Sequence, residues 1–150
     1  MNLKEFLAQF GMPEKKADLL NRSYFVINDT QFLSKRPLYV GKCIAHIRGP
    51  ALIPSVDLLQ DIGRGARRHV VLDAKGEWLF ICGRDVFAKS ITSHTNPVVG
   101  DMVAILNSHK ECIGYGQMNA PLTEQRVVIK RLFDLGDLLR RERKTRKVRH

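Results

Sequence analysis

The side chains that could carry out catalysis or bind a metal ion are scattered along this chain. The histidines take part in no HExxH pattern. Asp101 follows a glycine just before an apolar segment, where a turn is a simpler explanation than a catalytic carboxylate. Asp134 and Asp137 have the spacing of neighbours on a helix, but no further oxygen ligands cluster beside them for a divalent cation. The sequence therefore predicts a protein that is not an enzyme and that binds no metal or cofactor.

The cysteines give no sign of a metal site or a disulfide framework. Cys43, Cys82 and Cys112 are far apart and form no CxxC pair. Each has apolar neighbours, which favours a reduced thiol in the core. No apolar segment approaches the roughly 20 residues that a membrane-spanning helix needs, and the first ten residues carry charges that a secretory signal lacks. These features predict a cytoplasmic protein with no membrane partner.

The charge balance indicates an anionic partner. The 150 residues include 25 Lys and Arg against 15 Asp and Glu, a formal net charge of +10. Such an excess is typical of proteins that bind nucleic acid and, less often, of those that bind an acidic membrane surface.

Two segments concentrate this positive charge. Seven of the eleven residues from Arg140 to His150 are Lys or Arg. This block has no apolar face, so we expect it to be disordered and to act either as a counterion-displacing arm or as a solubilising tail. The segment from Gly63 to Arg68 contains two glycines and three arginines. It is the best candidate for a domain boundary, and it predicts either a phosphate-contacting loop or a solvated linker.

The first half of the chain has the pattern of a small α/β unit. Leu3, Phe6, Leu7 and Phe10 form the stripe of an amphipathic helix. Asn2 is placed to cap that helix, with Glu5 at the capping-box position and Gly11 at its end. The patterns further predict a second helical piece from Pro13 and a strand over Ser23–Asn28 with a partner strand from Phe32. The apolar segment over Leu38–Ile47 suits either a strand or a buried helix. It is followed by a predicted strand and a helix that ends near Ile62.

The second half has the pattern of a β-rich domain. Residues 69–73 and 77–82 predict a hairpin around a turn at residues 74–76. Arg84–Ile91 predicts a helix of two turns, with Arg84 and Lys89 on its outer face. Three further strands are predicted over Met102–Leu106, Cys112–Met118 and Arg126–Leu132.

The second half also resembles a known family. Residues 98–118, VVGDMVAILNSHKECIGYGQM, are similar to the closing strands of the PUA domain, in which Gly-Asp opens an apolar strand and the next strand ends on Gly-x-Gly. EWLFICGRDVFAKSI before them resembles the strand and first helix of that domain, and VVIKRLFDLGDLLR after them its last strand. With the upstream YFV and LYV segments, the pattern is most similar to two-domain proteins of large-ribosomal-subunit biogenesis in archaea and eukaryotes.

This resemblance implies an α+β fold: an α/β lead-in domain over residues 1–67, a PUA domain over 68–141 that forms a mixed β pseudo-barrel, and a basic tail over 142–150. It also implies a basic RNA-binding groove beside the first helix of the PUA domain. The residues that map to this groove or extend it are Arg84, Lys89, Gly114, Tyr115, Gly116, Arg126, Lys130, Arg131, Arg140 and Arg141. The glycines would let an RNA backbone approach the main chain. Tyr115 alternates with apolar residues, which is more typical of a side chain half-buried in a sheet than of one that stacks on a base.

The function implied is that of an RNA-binding accessory protein that binds structured rRNA in ribosome biogenesis and rRNA processing, with ribosome-assembly proteins as possible partners. Two alternatives remain open. One is a protein adaptor within a ribonucleoprotein complex, with the lead-in domain binding a protein. The other is a subunit that delivers RNA to a separate modification enzyme.

Overall fold

The computed structural model describes residues 1–28, 33–37, 40–138 and 140. The predicted strand start at Phe32, Leu38 and Tyr39 of the following apolar segment, the candidate site residue Arg141 and the basic tail over 142–150 lie outside the described residues.

In the first half of the described chain one helix precedes four strands and a second helix follows them, and strands dominate the second half. The helices are α1 (Leu3–Ala8), α2 (Val56–Gly65) and α3 (Ala74–Ile81). The strands are β1 (Asp18–Leu20), β2 (Ser23–Val26), β3 (Lys42–Arg48), β4 (Ala51–Pro54), β5 (His69–Leu72), β6 (Val86–Phe87), β7 (Ile91–His94), β8 (Met102–Leu106), β9 (Cys112–Met118) and β10 (Val127–Asp134). Short 3-10 turns cover Leu33–Lys35 and Ala88–Ser90.

Helix α1 forms as its sequence predicts. The Asn2 side chain accepts a hydrogen bond from the Glu5 amide at 2.8 Å, and the Glu5 carboxylate accepts one from the Asn2 amide at 3.0 Å, which completes the capping box. The stripe of Leu3, Phe6, Leu7 and Phe10 is buried. Gly11 ends the segment with a φ of +69°, a left-handed conformation that glycine adopts without strain.

The first sheet is antiparallel, with the strands in the order β1-β2-β3-β4. The helix predicted from Pro13 is wrong: residues 12–17 have no regular structure and lead into β1. The ambiguous apolar segment proves to be strand, because β3 pairs with β2 on one side and with β4 on the other. Pro54 then ends β4, and Ser55 caps α2 by accepting a hydrogen bond from the Leu58 amide at 3.1 Å.

The second sheet is mixed, with the order β6-β10-β9-β8-β5-β7 and one parallel pair, β5 with β8. Its two edge strands, β6 and β7, are consecutive in the chain and are joined only by the 3-10 turn at Ala88–Ser90. So short a connection brings the two edges together, and the sheet curls into a nearly closed pseudo-barrel. The predicted α+β fold with a PUA-like pseudo-barrel is confirmed.

Two local predictions in this half are wrong. The predicted strand over residues 77–82 belongs to helix α3, because Asp73 caps a helix there by accepting a hydrogen bond from the Gly76 amide at 2.7 Å. Gly76 also lets this helix touch its neighbour, since an added Cβ would lie 2.6 Å from the Ser90 Cβ. The predicted helix over Arg84–Ile91 consists of β6, the 3-10 turn and the start of β7. The first helix of the barrel therefore lies ten residues earlier in the sequence than predicted.

One core joins the two sheets. It includes Leu3 and Phe10 near the N-terminus, Leu59 of α2, and Tyr115 and Phe133 of the barrel. Helix α2 lies against β9, where the Gln60 side chain pairs with both backbone groups of Cys112 at 2.9 Å. Residues 63–65 belong to this helix, so they are not the predicted loop or linker. The division of the chain after residue 67 stays a prediction.

The cysteines differ in exposure, which corrects the prediction that all three are core thiols. Cys112 is buried, Cys43 is partly buried and Cys82 is exposed. Cys82 follows α3 as its C-cap, at the surface end of the helix. In the described part of the chain, no helix has the length and apolar character to cross a bilayer.

Candidate nucleic-acid interface

Four exposed cations flank the strand pair β6–β10 at one edge of the barrel sheet. The register pairs Val86 with Ile129 and Phe87 with Val127. Arg84 precedes β6 and Lys89 follows it, while Arg126 precedes β10 and Lys130 lies within it. All four side chains are exposed. We call Arg84, Lys89, Arg126 and Lys130 the cationic rim. The structure thus brings together four of the predicted site residues, on a strand pair and not on the predicted helix.

Most of the rim charge is not neutralised by nearby carboxylates. Arg126 pairs with Glu124. Among the described residues, no ion pair involves Arg84, Lys89 or Lys130. The Lys89 ammonium lies 5.7 Å from the ring centroid of Phe87, which is itself 42% exposed. An anion can therefore approach these cations without displacing a carboxylate partner from them.

Two other predicted site residues, Arg131 and Arg140, bind a buried carboxylate. Asp134 is fully buried; it accepts a hydrogen bond from Arg131 Nη1 at 2.8 Å and two from Arg140 Nη2 at 3.0 and 2.9 Å. A buried carboxylate needs such charge-assisted partners to offset the loss of its hydration. We call Asp134, Arg131 and Arg140 the Asp134 clamp. Asp134 thus forms salt bridges with Arg131 and Arg140, and it does not have the role of metal ligand that was considered for it.

The Asp134 clamp also holds the C-terminal end of α3. Arg140 Nη1 donates to the Ile81 carbonyl at 2.8 Å, and Arg131 Nε donates to the Gly83 carbonyl at 3.1 Å. The last carbonyls of a helix lack intrahelical partners, so a guanidinium group satisfies both their hydrogen bonding and the negative end of the helix dipole. These two arginines therefore position the helix beside the rim. Their predicted contact with RNA stays a prediction.

The predicted glycines of β9 face other parts of the protein. A Cβ at Gly116 would lie 2.5 Å from the Lys130 carbonyl and 2.6 Å from Ile129 Cγ2. A Cβ at Gly114 would collide with the Phe133 carbonyl and lie 2.6 Å from the Phe80 ring. The space beside both glycines is thus filled by β10 and α3. Close packing of the barrel is sufficient to explain the Gly-x-Gly pattern, and the contact of Gly114 and Gly116 with an RNA backbone stays a prediction.

Tyr115 is a core residue. Its side chain is buried, with its ring at 5.7 Å from that of Phe6, 5.2 Å from that of Phe10 and 5.4 Å from that of Phe133. Burial raises the pKa of its hydroxyl well above the usual range of tyrosine. The ring offers no exposed face to a base, which excludes the stacking role considered for it and agrees with the sheet position favoured from the sequence.

A second basic feature lies between α1 and the barrel. Arg67 and Arg68 line a cleft with Phe10, Gly11 and Asp101. Arg68 is engaged there, since Nη1 donates to the Thr95 carbonyl at 2.8 Å and Nε lies 3.5 Å from the Asp101 carboxylate. Arg67 is exposed. The concentration of arginine over residues 63–68 was the sequence signal for this cleft, although it did not reveal which arginine remains accessible.

One cysteine–histidine pair lies in the first sheet. His46 Nδ1 is 2.6 Å from the Ser23 hydroxyl, and Nε2 is 3.6 Å from the Cys43 sulfur. His46 is exposed. Structural zinc takes four protein ligands. In the described ranges, no group of three or more His, Cys, Asp or Glu side chains could hold a metal ion.

Comparisons of the sequence place the barrel half in a family. The sequence model described as the UPF0113 PUA domain matches residues 68–143. A UPF0113 protein of Archaeoglobus fulgidus is 29% identical over 86 residues, which make up 53% of this chain and 49% of that protein. The chain therefore spans about half the length of the curated relative that it matches.

Comparisons of the fold extend over most of the chain. A conserved PUA domain protein from Thermoplasma acidophilum superposes with a TM-score of 0.63 and 23% identity, covering 93% of this chain and 91% of that one. A hypothetical protein from Pyrococcus horikoshii superposes with a TM-score of 0.54 and 18% identity, covering 87% and 88%. At these identities the likeness concerns the fold, and it includes the first sheet as well as the barrel.

Proposed function

Because this chain belongs to the UPF0113 PUA-domain family, we propose that it is an RNA-binding accessory protein whose cationic rim contacts RNA phosphates. It has no catalytic activity of its own in this proposal. The ligand class is structured RNA, and specifically rRNA during assembly of the large ribosomal subunit, as the family resemblance implies. We also propose ribosome-assembly proteins as partners of the whole protein.

The observation that carries the proposal is the state of the rim cations. Arg84, Lys89 and Lys130 are exposed, and none of them takes part in an ion pair within the described part of the chain. They lie on or next to one hydrogen-bonded strand pair, which holds them at the same edge of the sheet for contact with phosphates. The formal net charge of +10 provides long-range attraction to the same ligand.

The test is a comparison of two triple variants with the same net charge. R84Q/K89Q/K130Q removes the three unpaired rim cations. K16Q/R48Q/K110Q removes three exposed cations from other parts of the surface. Binding to an rRNA hairpin is measured as a function of salt. We expect the rim variant to lower the slope of log K against log salt by about two to three, because each phosphate contact contributes roughly 0.7 to 0.9 to it.

The control triple is expected to bind nearly as the wild type does. Equal losses in the two variants would contradict the rim assignment, since they would mean that net charge alone sets the affinity. A chain that ends at residue 141 should retain rim-dependent binding. If the truncated chain binds no RNA, the basic tail and not the folded domain is the RNA-binding part.

The assignment to ribosome biogenesis needs a measurement in cells. Crosslinking followed by sequencing of the bound RNA should recover large-subunit rRNA precursors, with less recovered by the rim variant. Recovery of a single class of modification-guide or substrate RNA would favour the RNA-delivering subunit. Unchanged association with assembly particles by the rim variant would favour a protein adaptor.

A further inference from the structure

Helix α3 carries an exposed tryptophan on its outer face. Trp78 is 67% exposed, the highest value among the exposed large hydrophobic side chains of the described residues. The opposite face of the helix is buried through Gly76 and Phe80. A fully desolvated tryptophan would contribute a large apolar area to stability, so this indole is in water without an intramolecular benefit.

The indole projects from an element that is held at both ends. At its start, the Asp73 amide donates to the Ser90 carbonyl at 2.9 Å, and Gly76 packs against Ser90. At its end, the Asp134 clamp binds the carbonyls of Ile81 and Gly83. Both attachments are to segments that border the cationic rim. Trp78 therefore has a fixed position, with little backbone freedom to lose on binding.

The charges around Trp78 are those that suit an anionic ligand. Lys75 is exposed one turn before it, and Arg84 is exposed just beyond the end of the helix. The acidic side chains of this segment are engaged elsewhere: Asp73 caps the helix, and Glu77 accepts from the Asn107 amide at 3.4 Å. An exposed aromatic ring on a helix that has exposed cations in its first turn and just beyond its end suits the binding of a base and its flanking phosphates.

We propose that Trp78 stacks on an unpaired RNA base, so that the ligand of the cationic rim is RNA with a single-stranded loop, bulge or end. This inference rests on the proposed function and names its ligand class. Bases inside a duplex are stacked on one another and offer no free face, whereas an unpaired base can be turned onto an aromatic ring. The stacking role considered for Tyr115, which is buried, thus belongs to Trp78. The sequence patterns predict a strand at Trp78.

The chain contains a single tryptophan, so its fluorescence reports on this site alone. The wild-type protein is titrated with a hairpin RNA that has an unpaired loop, and with a fully paired duplex of the same length. We expect the hairpin to quench the emission at saturation, and the duplex to bind with little quenching. Equal emission with both RNAs at saturation overturns the proposal.

Variants provide a second measurement. W78A should weaken binding of the hairpin by about 5- to 150-fold, the range expected for one stacked base. Binding of the duplex should change little, and so should the salt slope, because no phosphate contact is removed. W78F should restore part of the loss. L19A, which truncates a side chain that is 56% exposed on the first sheet, is the matched control and should bind as the wild type does.

The outcomes separate this inference from the proposed function. If W78A binds the hairpin with wild-type affinity while the rim triple variant loses binding, the stacking role is wrong and the rim remains. In that case the exposed indole is available for contact with a protein. If the wild type shows no salt-dependent binding of any RNA, both the stacking role and the proposed function are wrong. Because Trp78 is exposed, W78A should keep the urea midpoint of the wild type.

Discussion

Asp134 is the buried ionic group on which the position of α3 depends. Its two oxygens receive hydrogen bonds from Arg131, Arg140 and the backbone amide of Asp137, the last at 2.9 Å. Both arginine side chains are partly exposed, at 30% and 41%, so solvent moderates the charge that is left when the carboxylate is removed.

We expect D134N to lower the free energy of unfolding by about 2 kcal/mol, the usual cost of losing hydrogen bonds to a charged group. Urea denaturation measures this change. E14Q, which removes the exposed partner of Lys4, is the control and should cost less than about 0.5 kcal/mol. An equal effect of the two substitutions would mean that the Asp134 clamp does not stabilise the fold.

The cysteines should differ strongly in reactivity. Burial raises the pKa of Cys112 to about 11, whereas Cys82 is exposed at the end of α3. Alkylation requires the thiolate, so in the native protein at pH 8 we expect Cys82 to react first and Cys112 last. Peptide mass spectrometry after a timed exposure to iodoacetamide measures the order. Reaction of Cys112 as fast as Cys82 would show that β9 opens readily.

The raised pKa values also set the direction of an alkaline effect on stability. Cys112 and Tyr115 both hold their protons more tightly in the folded state than in the unfolded chain. The contribution of Cys112 to stability is complete below the ordinary thiol pKa, and it declines as the pH rises through that value towards about 11. The contribution of Tyr115 declines only as the pH rises above the ordinary pKa of tyrosine.

Among the elements, the close pairing of β9 with β10 depends on the absence of a side chain at Gly116. The two strands pair from Ile129 with Met118 to Asp134 with Gly114, and Gly116 is opposite Arg131. The Lys130 carbonyl and Ile129 Cγ2 occupy the space where a Cβ at Gly116 would be. The two strands can approach in this way only because position 116 has no side chain.

We expect G116A to destabilise the protein by about 1 to 3 kcal/mol, as other insertions into filled space do. Thermal unfolding followed by circular dichroism measures the loss. Q117A, on the exposed side of the same strand, should have little effect. A stable G116A protein with reduced RNA affinity would instead support a direct contact between this glycine and RNA.

At the scale of the whole molecule, aromatic rings join the first helix to the barrel. Phe10 is 1% exposed, with its ring centroid 5.2 Å from that of Tyr115 and 5.4 Å from that of Phe6. Edge-to-face contacts of this kind add to the hydrophobic contribution of the buried rings. They connect residues that are about a hundred positions apart in the chain.

We expect F10A to cost about 3 to 5 kcal/mol through the cavity that it leaves. Because the core is shared, protection of α1 and of β9 against hydrogen exchange should fall together. L19A serves as the control for the loss of an exposed apolar side chain. If α1 loses protection while β9 keeps its own, the two parts fold independently, which would support a domain boundary after residue 67.

The sequence by itself determined the elements whose signals are local. The apolar stripe and capping box of α1 and the strands β8, β9 and β10 depend on neighbouring residues only, and the prediction of each is confirmed. The resemblance of residues 98–118 to PUA domains was also carried by a continuous segment, and the family match over residues 68–143 confirms it. The net positive charge, which indicates an anionic ligand, follows from counting the charged residues of the sequence.

Tertiary structure alone decided the parts that depend on contacts between distant residues. Residues 77–82 have the composition of a strand, yet residues 77–81 form the end of helix α3, because Asp73 caps this helix and Gly76 fits against Ser90. Arg131 and Arg140 have the same charge as Lys130, but a buried carboxylate binds the first two and not the third. Tyr115 and Trp78 are both aromatic, and only packing places one in the core and the other in water. Burial and partner choice are properties of the folded chain. The alternation of apolar residues indicated the sheet position of Tyr115, but no local pattern showed that Trp78 is exposed or that Arg131 and Arg140 bind Asp134.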